Sequence, residues 1–121
     1  MLKKILIIED DNVLQNAMKN ILESEGYSVL QAFDGEDGFK KIVQTKPDLI
    51  ILDLLMPLKP GEWVLKKMNE KGIVDKCPLI VLTVKSDMAN LNNLTSLKVK
   101  NYISKSDYSL KMIIQKVKEL I

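Results

Sequence analysis

A chain of 121 residues, 46% hydrophobic and 28% charged, is one domain with enough apolar material for a real core, which excludes a disordered chain. A net charge of +2 is too small to argue for nucleic acid or an anionic membrane, and no apolar run approaches the ~20 residues that span a bilayer. The lack of histidine excludes a histidine general base, a histidine-ligated metal and a phosphohistidine carrier within these residues, and the single cysteine, Cys77, cannot form an intramolecular disulfide.

Residues 4–8 predict a short strand, closed by three consecutive acids, Glu9-Asp10-Asp11. The apolar run before Glu9 is too short for a signal peptide, and with one inert thiol at Cys77 a reducing cytoplasm is the expected compartment. Asn12 is the expected cap of a first helix in which Leu14, Met18, Ile21 and Leu22 recur at helical spacing, and Gly26 is its expected C′ residue. Residues 27–32 predict a second strand whose mixed polarity suits a place near an edge. Asp34 caps a second helix with Phe39, Ile42 and Val43 on its apolar side, Glu36 and Asp37 suit its positive N-terminal end, and Pro47 stops it.

Residues 48–52 are almost wholly apolar and β-branched, the pattern of a strand buried on both faces of a parallel sheet, and Asp53 sits where that run ends. After Pro57, the loop Leu58-Lys59-Pro60-Gly61 leads to a third helix with Val64, Leu65 and Met68, which Gly72 ends. Pro78 opens a fourth strand over residues 79–83. Residues 86–97 predict a weak fourth helix, because Asn90, Asn92, Asn93 and Thr95 are poor helix formers. Residues 100–104 predict a fifth strand, and Leu110, Ile113, Ile114, Val117, Leu120 and Ile121 an amphipathic last helix. Trp63 and the methionines are expected in the core or partly at the surface.

Strands alternating with helices imply an α/β fold, a doubly wound (βα)5 sandwich around a parallel sheet. In the flavodoxin-like order 2-1-3-4-5, strands one and three are neighbours where the winding reverses, and ligands collect at the carboxyl ends of the strands there, a rule for which this order is a standard example. Just past those ends lie Glu9, Asp10 and Asp11 from strand one, Asp53 from strand three, Thr83 from strand four and Lys105 from strand five. Clustered carboxylates repel, and a hard cation such as Mg²⁺ relieves that repulsion. The lysine and threonine supply a positive charge and a hydroxyl donor for an incoming phosphoryl group, and a carboxylate can itself be the nucleophile. Each residue alone has a plainer reading: Asp11 as a solvated or capping acid, Thr83 as a strand-end hydroxyl bonded to backbone, Lys105 as a surface lysine.

The motifs Ile5-Leu6-Ile7-Ile8-Glu9-Asp10-Asp11, Lys46-Pro47-Asp48-Leu49-Ile50-Ile51-Leu52-Asp53-Leu54-Leu55-Met56-Pro57 with Gly61, Ile80-Val81-Leu82-Thr83 and Tyr102-Ile103-Ser104-Lys105, in this order and spacing, resemble the receiver domain of two-component response regulators over essentially the whole chain. The resemblance implies that Asp53 is the phosphoacceptor. It implies that Asp10 ligates Mg²⁺ (or Mn²⁺) directly, that Glu9 acts as the second acid through a water, and that Asp53 and the Leu55 backbone carbonyl complete the metal shell. Thr83 and Lys105 would bind phosphoryl oxygens, and Tyr102 would be the switch aromatic that turns inward when Thr83 moves. The side chains of Leu55, Val84 and Lys85 would overlook the phosphoryl group and modulate its lifetime.

It further implies a phosphorelay switch that catalyses its own phosphorylation and slow dephosphorylation. A sensor histidine kinase or a histidine phosphotransfer protein would be the donor, and the face made by the fourth helix, fifth strand and fifth helix would address a downstream protein target. Residues 1–121 are expected to be the receiver alone, with no output domain, no direct nucleic-acid binding and no membrane contact; a phosphorylation-linked dimer is compatible with this. Three positions depart from the family pattern. Ser106 replaces the proline that usually follows the lysine with a cis peptide, Val84 replaces a small residue, and Pro60 adds a second proline that stiffens the loop. These departures sustain one rival, a degenerate receiver acting as a phosphorylation-independent scaffold. A flavodoxin-like FMN protein is disfavoured because Glu9-Asp10-Asp11 would repel a phosphate, and a P-loop enzyme is excluded because its motif is absent.

Overall fold

The computed structural model describes residues 2–56, 58–83, 99–105 and 109–121. Its elements run β1 (Lys4–Ile8), α1 (Asn12–Ser24), β2 (Ser28–Ala32), α2 (Gly35–Thr45), β3 (Leu49–Asp53), α3 (Gly61–Glu70), β4 (Leu79–Thr83), β5 (Tyr102–Ser104) and a C-terminal helix (Leu110–Leu120). The five strands are parallel in the order β2-β1-β3-β4-β5, as the alternation of strands and helices implied. The predicted helix over 86–97, together with Pro57, Val84, Lys85 and the Lys105–Ser106 peptide, lies outside the described residues.

Successive side chains on a strand point to opposite faces, so a strand covered on both sides must be apolar at every position. Ile50 and Leu52 of β3 pack into one cluster with Ile42, Val64, Leu65 and Met68 of α2 and α3. Leu49 and Ile51 pack into the other with Leu14, Met18 and Leu22 of α1 and Ile113 and Val117 of the C-terminal helix. Burying one such side chain contributes about 1.5–3 kcal/mol, which makes these two layers the main source of stability.

The helix ends explain several boundaries. Gly26 has φ +95°, its amide donates to the Glu23 carbonyl at 3.0 Å and the Tyr27 amide to Leu22 at 3.1 Å, so the chain leaves α1 through a Schellman turn. That turn uses Tyr27, and β2 therefore starts at Ser28, one residue later than its sequence suggests. The expected cap of α1, Asn12, is instead its first helical residue. Asp11 is the cap, and its carboxylate accepts from the Val13 amide at 2.9 Å. Asp34 caps α2 as expected, accepting from the Asp37 amide at 2.8 Å. Val43 departs from its expected buried place: it is 50% exposed, while Ile42 and Phe39 make the packing contacts of α2. Asp48 does not enter β3, because its carboxylate accepts the Lys4 amide at 2.7 Å. β5 is also shorter than predicted, starting at Tyr102.

Gly61 fixes how α3 meets the sheet. A Cβ there would lie 2.5 Å from the Asp53 carbonyl oxygen and 2.7 Å from the Leu54 Cα, so only glycine lets the helix begin against the end of β3. The Gly61 amide closes the loop by donating to Leu54 at 3.0 Å.

Candidate functional site

Asp53 is the last residue of β3, paired in register with Leu82 of β4, and its side chain is 1% exposed. The turn that leaves the strand aims the Leu55 amide back at it, donating to Asp53 Oδ1 at 3.2 Å. The Lys105 ammonium lies 3.1 Å from the same oxygen. Asp53 Oδ2 is buried and has no hydrogen-bond partner among the described residues. A buried carboxylate oxygen left without a partner costs free energy, so an orphan at a strand end requires an explanation.

Glu9, just past β1, is fully buried. Lys105 Nζ donates to its Oε1 at 3.1 Å and its Oε2 at 3.3 Å, so one lysine spans both buried acids. Burial pushes the Glu9 carboxyl up to about 8; the neighbouring Asp53 carboxylate pushes the same way, and Lys105 offsets part of the rise. Burial opposes the Lys105 ammonium, but Asp53 and Glu9 together outweigh it and its pKa is raised. Asp10 points outward and is exposed. Oxygens of Glu9, Asp10 and Asp53 nevertheless all lie within 4.8 Å of one another. Carboxylate oxygens gathered from three acids fit a hard, oxygen-binding divalent cation, and the same set offers nothing to a soft metal. Asp11 belongs to the α1 cap and not to this group.

Thr83 is fully buried at the end of β4, and the Lys105 amide donates to its carbonyl at 2.6 Å, so β4 and β5 deliver threonine and lysine to the same edge. The Leu55 side chain is 53% exposed and Tyr102 41% exposed.

Two features of the edge went unread in the sequence. The first is the Lys105 bridge to Glu9, which joins residues 96 positions apart. The second is Gln15, fully buried in α1, with Nε2 3.0 Å from the Ile7 carbonyl, 3.1 Å from Glu9 and 2.8 Å from Ala32. It ties the ends of β1 and β2 to the helix and fixes the backbone that carries Glu9. Its spacing was the available signal, since Gln15 lies seven residues before buried Leu22 and three before buried Met18, on the core face of α1.

The response regulator receiver domain model matches residues 5–118. The chain is 37% identical over 102 residues to the transcriptional regulatory protein DltR of Streptococcus agalactiae, covering 84% of this chain and 45% of that protein. It is 39% identical over 114 residues to the transcriptional regulatory protein CiaR of Streptococcus pneumoniae, covering 93% of this chain and 50% of that protein. The chain thus spans about half the length of the curated relatives it matches. Among solved structures, the response regulator protein TrrA of Thermotoga maritima, in complex with Mg(2+)-BeF, aligns with a TM-score of 0.84 and 30% identity over 99% of this chain and 100% of that one. Among the described residues no helix is long and apolar enough to cross a membrane.

Proposed function

The chain belongs to the response regulator receiver domain family, and on that premise we propose that it is a phosphoacceptor switch in which Asp53 receives the phosphoryl group. The observation that carries this reading is the division of labour between the two oxygens of Asp53. Oδ1 is held by the Lys105 ammonium and the Leu55 amide, while Oδ2 is buried without a partner among the described residues. A carboxylate fixed through one oxygen presents the other as a positioned nucleophile, and position supplies much of the rate in phosphoryl transfer.

In this reading Asp53 Oδ2 attacks the phosphorus of a phosphohistidine on a sensor kinase or phosphotransfer protein. The O–P bond forms as the P–N bond breaks, and the departing imidazole nitrogen takes its proton from solvent. Lys105 and the Thr83 hydroxyl then hold the phosphoryl oxygens. Glu9, Asp10, Asp53 and the Leu55 carbonyl would hold Mg²⁺, which when bound neutralises charge on the acids and on the phosphoryl oxygens. The switch is assigned to Thr83 and Tyr102: Tyr102 stands outward on β5, and an inward turn after phosphorylation is the second state. The segment 86–97, whose sequence predicts a helix, is assigned with β5 and the C-terminal helix to the face read by a protein target. Residues 1–121 act as the receiver unit, and the output belongs to that target or to the remainder of a longer protein like the transcriptional regulators it resembles.

The test is intact-mass analysis after incubation with acetyl phosphate and Mg²⁺. A gain of about 80 Da, one PO₃H unit, is expected in the wild type and not in Asp53→Asn. The degenerate-scaffold reading predicts no gain in either. The lifetime of the label tests the modulators. Leu55 offers no hydrogen-bond partner to an attacking water, and Lys85 is donor-only, so loss of label is slow and Leu55→Asn accelerates it. A label lost within seconds from the wild type, or no faster from the variant, removes Leu55 from that role.

A further inference from the structure

At the opposite edge of the sheet, one β3 length from Asp53, the chain encloses a second recess. The C-terminal end of α2, the approach to β3, the turn after α3 and the approach to β4 surround a cavity of about 790 Å³. Protein interiors leave few voids larger than a water molecule, and this volume falls in the range of small-molecule sites, roughly 300–1,000 Å³. Phe39, Ile42, Val43, Ile73 and Cys77 give it apolar walls.

Positive charge predominates at its rim. Lys46, Lys71 and Lys76 line the opening, are exposed, and have no ion-pair partner among the described residues. The single acid there, Asp48, already accepts the Lys4 amide at 2.7 Å. We propose that this cleft binds an amphipathic carboxylate, with an acyl chain against Phe39, Val43 and Ile73 and its carboxylate among Lys46, Lys71 and Lys76.

The lining favours this ligand class over others. The walls are chiefly apolar, which suits a hydrocarbon chain and leaves a nucleotide base without partners. Exposed lysines on flexible stems act as point charges and accept a carboxylate from several directions.

The chain carries its own reporters, one tryptophan and one cysteine. Trp63 meets the cavity wall through Phe39, with ring centroids 6.1 Å apart at 78°. The Cys77 thiol lines the cavity, and burial first and Asp48 second push it up to about 11, so it alkylates slowly.

The experiment titrates the full chain with dodecanoate, below the concentration at which it forms micelles, and follows Trp63 fluorescence and the rate of Cys77 alkylation. Saturable change in both signals, with Cys77 protected, is expected. Replacing all three lysines by glutamine, at exposed positions that leave the core untouched, lowers dodecanoate affinity by about tenfold, from modest contributions of each exposed charge, and leaves dodecanol binding unchanged. Absence of saturation overturns the proposal, as does equal affinity of wild type and variant for dodecanoate, or dodecanol binding as tightly as dodecanoate. Binding of phosphatidylglycerol vesicles or of an acidic amphipathic peptide in place of free dodecanoate assigns the face to a membrane or a protein and also overturns it. None of these readouts depends on phosphorylation, so the outcome is independent of Asp53.

Discussion

Two environments meet within the five residues of β3. Leu49 to Leu52 are fully buried among aliphatic side chains from both helical layers, and Asp53, one residue further, is equally buried among an ammonium, an amide and another acid. Burial is the same and its consequence is opposite. In the interior it stabilises, because apolar surface leaves water. At the edge it costs stability, because carboxylates lose hydration, and Lys105 recovers only part of that loss. The contrast separates four residues that stabilise the fold from a fifth whose burial is costly, and the fifth is the one proposed for chemistry.

The largest expected effect lies on the folding side. Ile51→Ala empties a site with no exposure and should lower stability by about 2–5 kcal/mol, read from urea unfolding, while the folded fraction still accepts label. Labelling of the folded protein that fell along with stability would dissolve the contrast.

The next effect sharpens the electrostatic side. Glu9 holds its proton to about pH 8 in the folded chain and to 4.5 ordinarily, so between these values the folded state binds one more proton than the unfolded state. Stability therefore falls as pH rises through that window, and Glu9→Gln flattens the slope. Mg²⁺ affinity should rise with pH up to about 8 in the wild type, because Glu9 must lose that proton to serve a cation. A pH-independent stability in the wild type would mean that Lys105 fully neutralises the pair.

The smallest effect separates neighbours in one run of acids. Asp11 caps α1 and stands outside the carboxylate cluster, so Asp11→Ala should cost about 1 kcal/mol and leave labelling intact. If labelling falls as far as expected for Asp10→Ala, which removes a proposed metal ligand, the division between cap and site is wrong.

What the sequence disclosed and what it withheld follow the same physical line. Apolar runs between prolines and glycines announced the strands, because burial on both faces demands that pattern. Strand-end positions announced Glu9, Asp53, Thr83 and Lys105, because a parallel sheet brings its carboxyl ends together. The cap of α1 was ambiguous because Asp11 and Asn12 both cap well and only the backbone path chooses between them. Lys46 at φ 49° closes α2 in the left-handed region without a glycine, a conformation that no residue type signalled. Gln15 and the Lys105–Glu9 bridge were withheld because each depends on contacts between distant elements, which local periodicity does not encode.

The central claim is that Asp53 Oδ2, buried at the end of β3 with no hydrogen-bond partner among the described residues, is the nucleophile. The most direct measurement loads the chain from acetyl phosphate with Mg²⁺, reduces the acyl phosphate with borohydride and maps the modified residue by peptide mass. Modification at Asp53 alone, absent from Asp53→Asn, is the predicted result. Modification at Glu9 or Asp10, or undiminished labelling of Asp53→Asn, would contradict it.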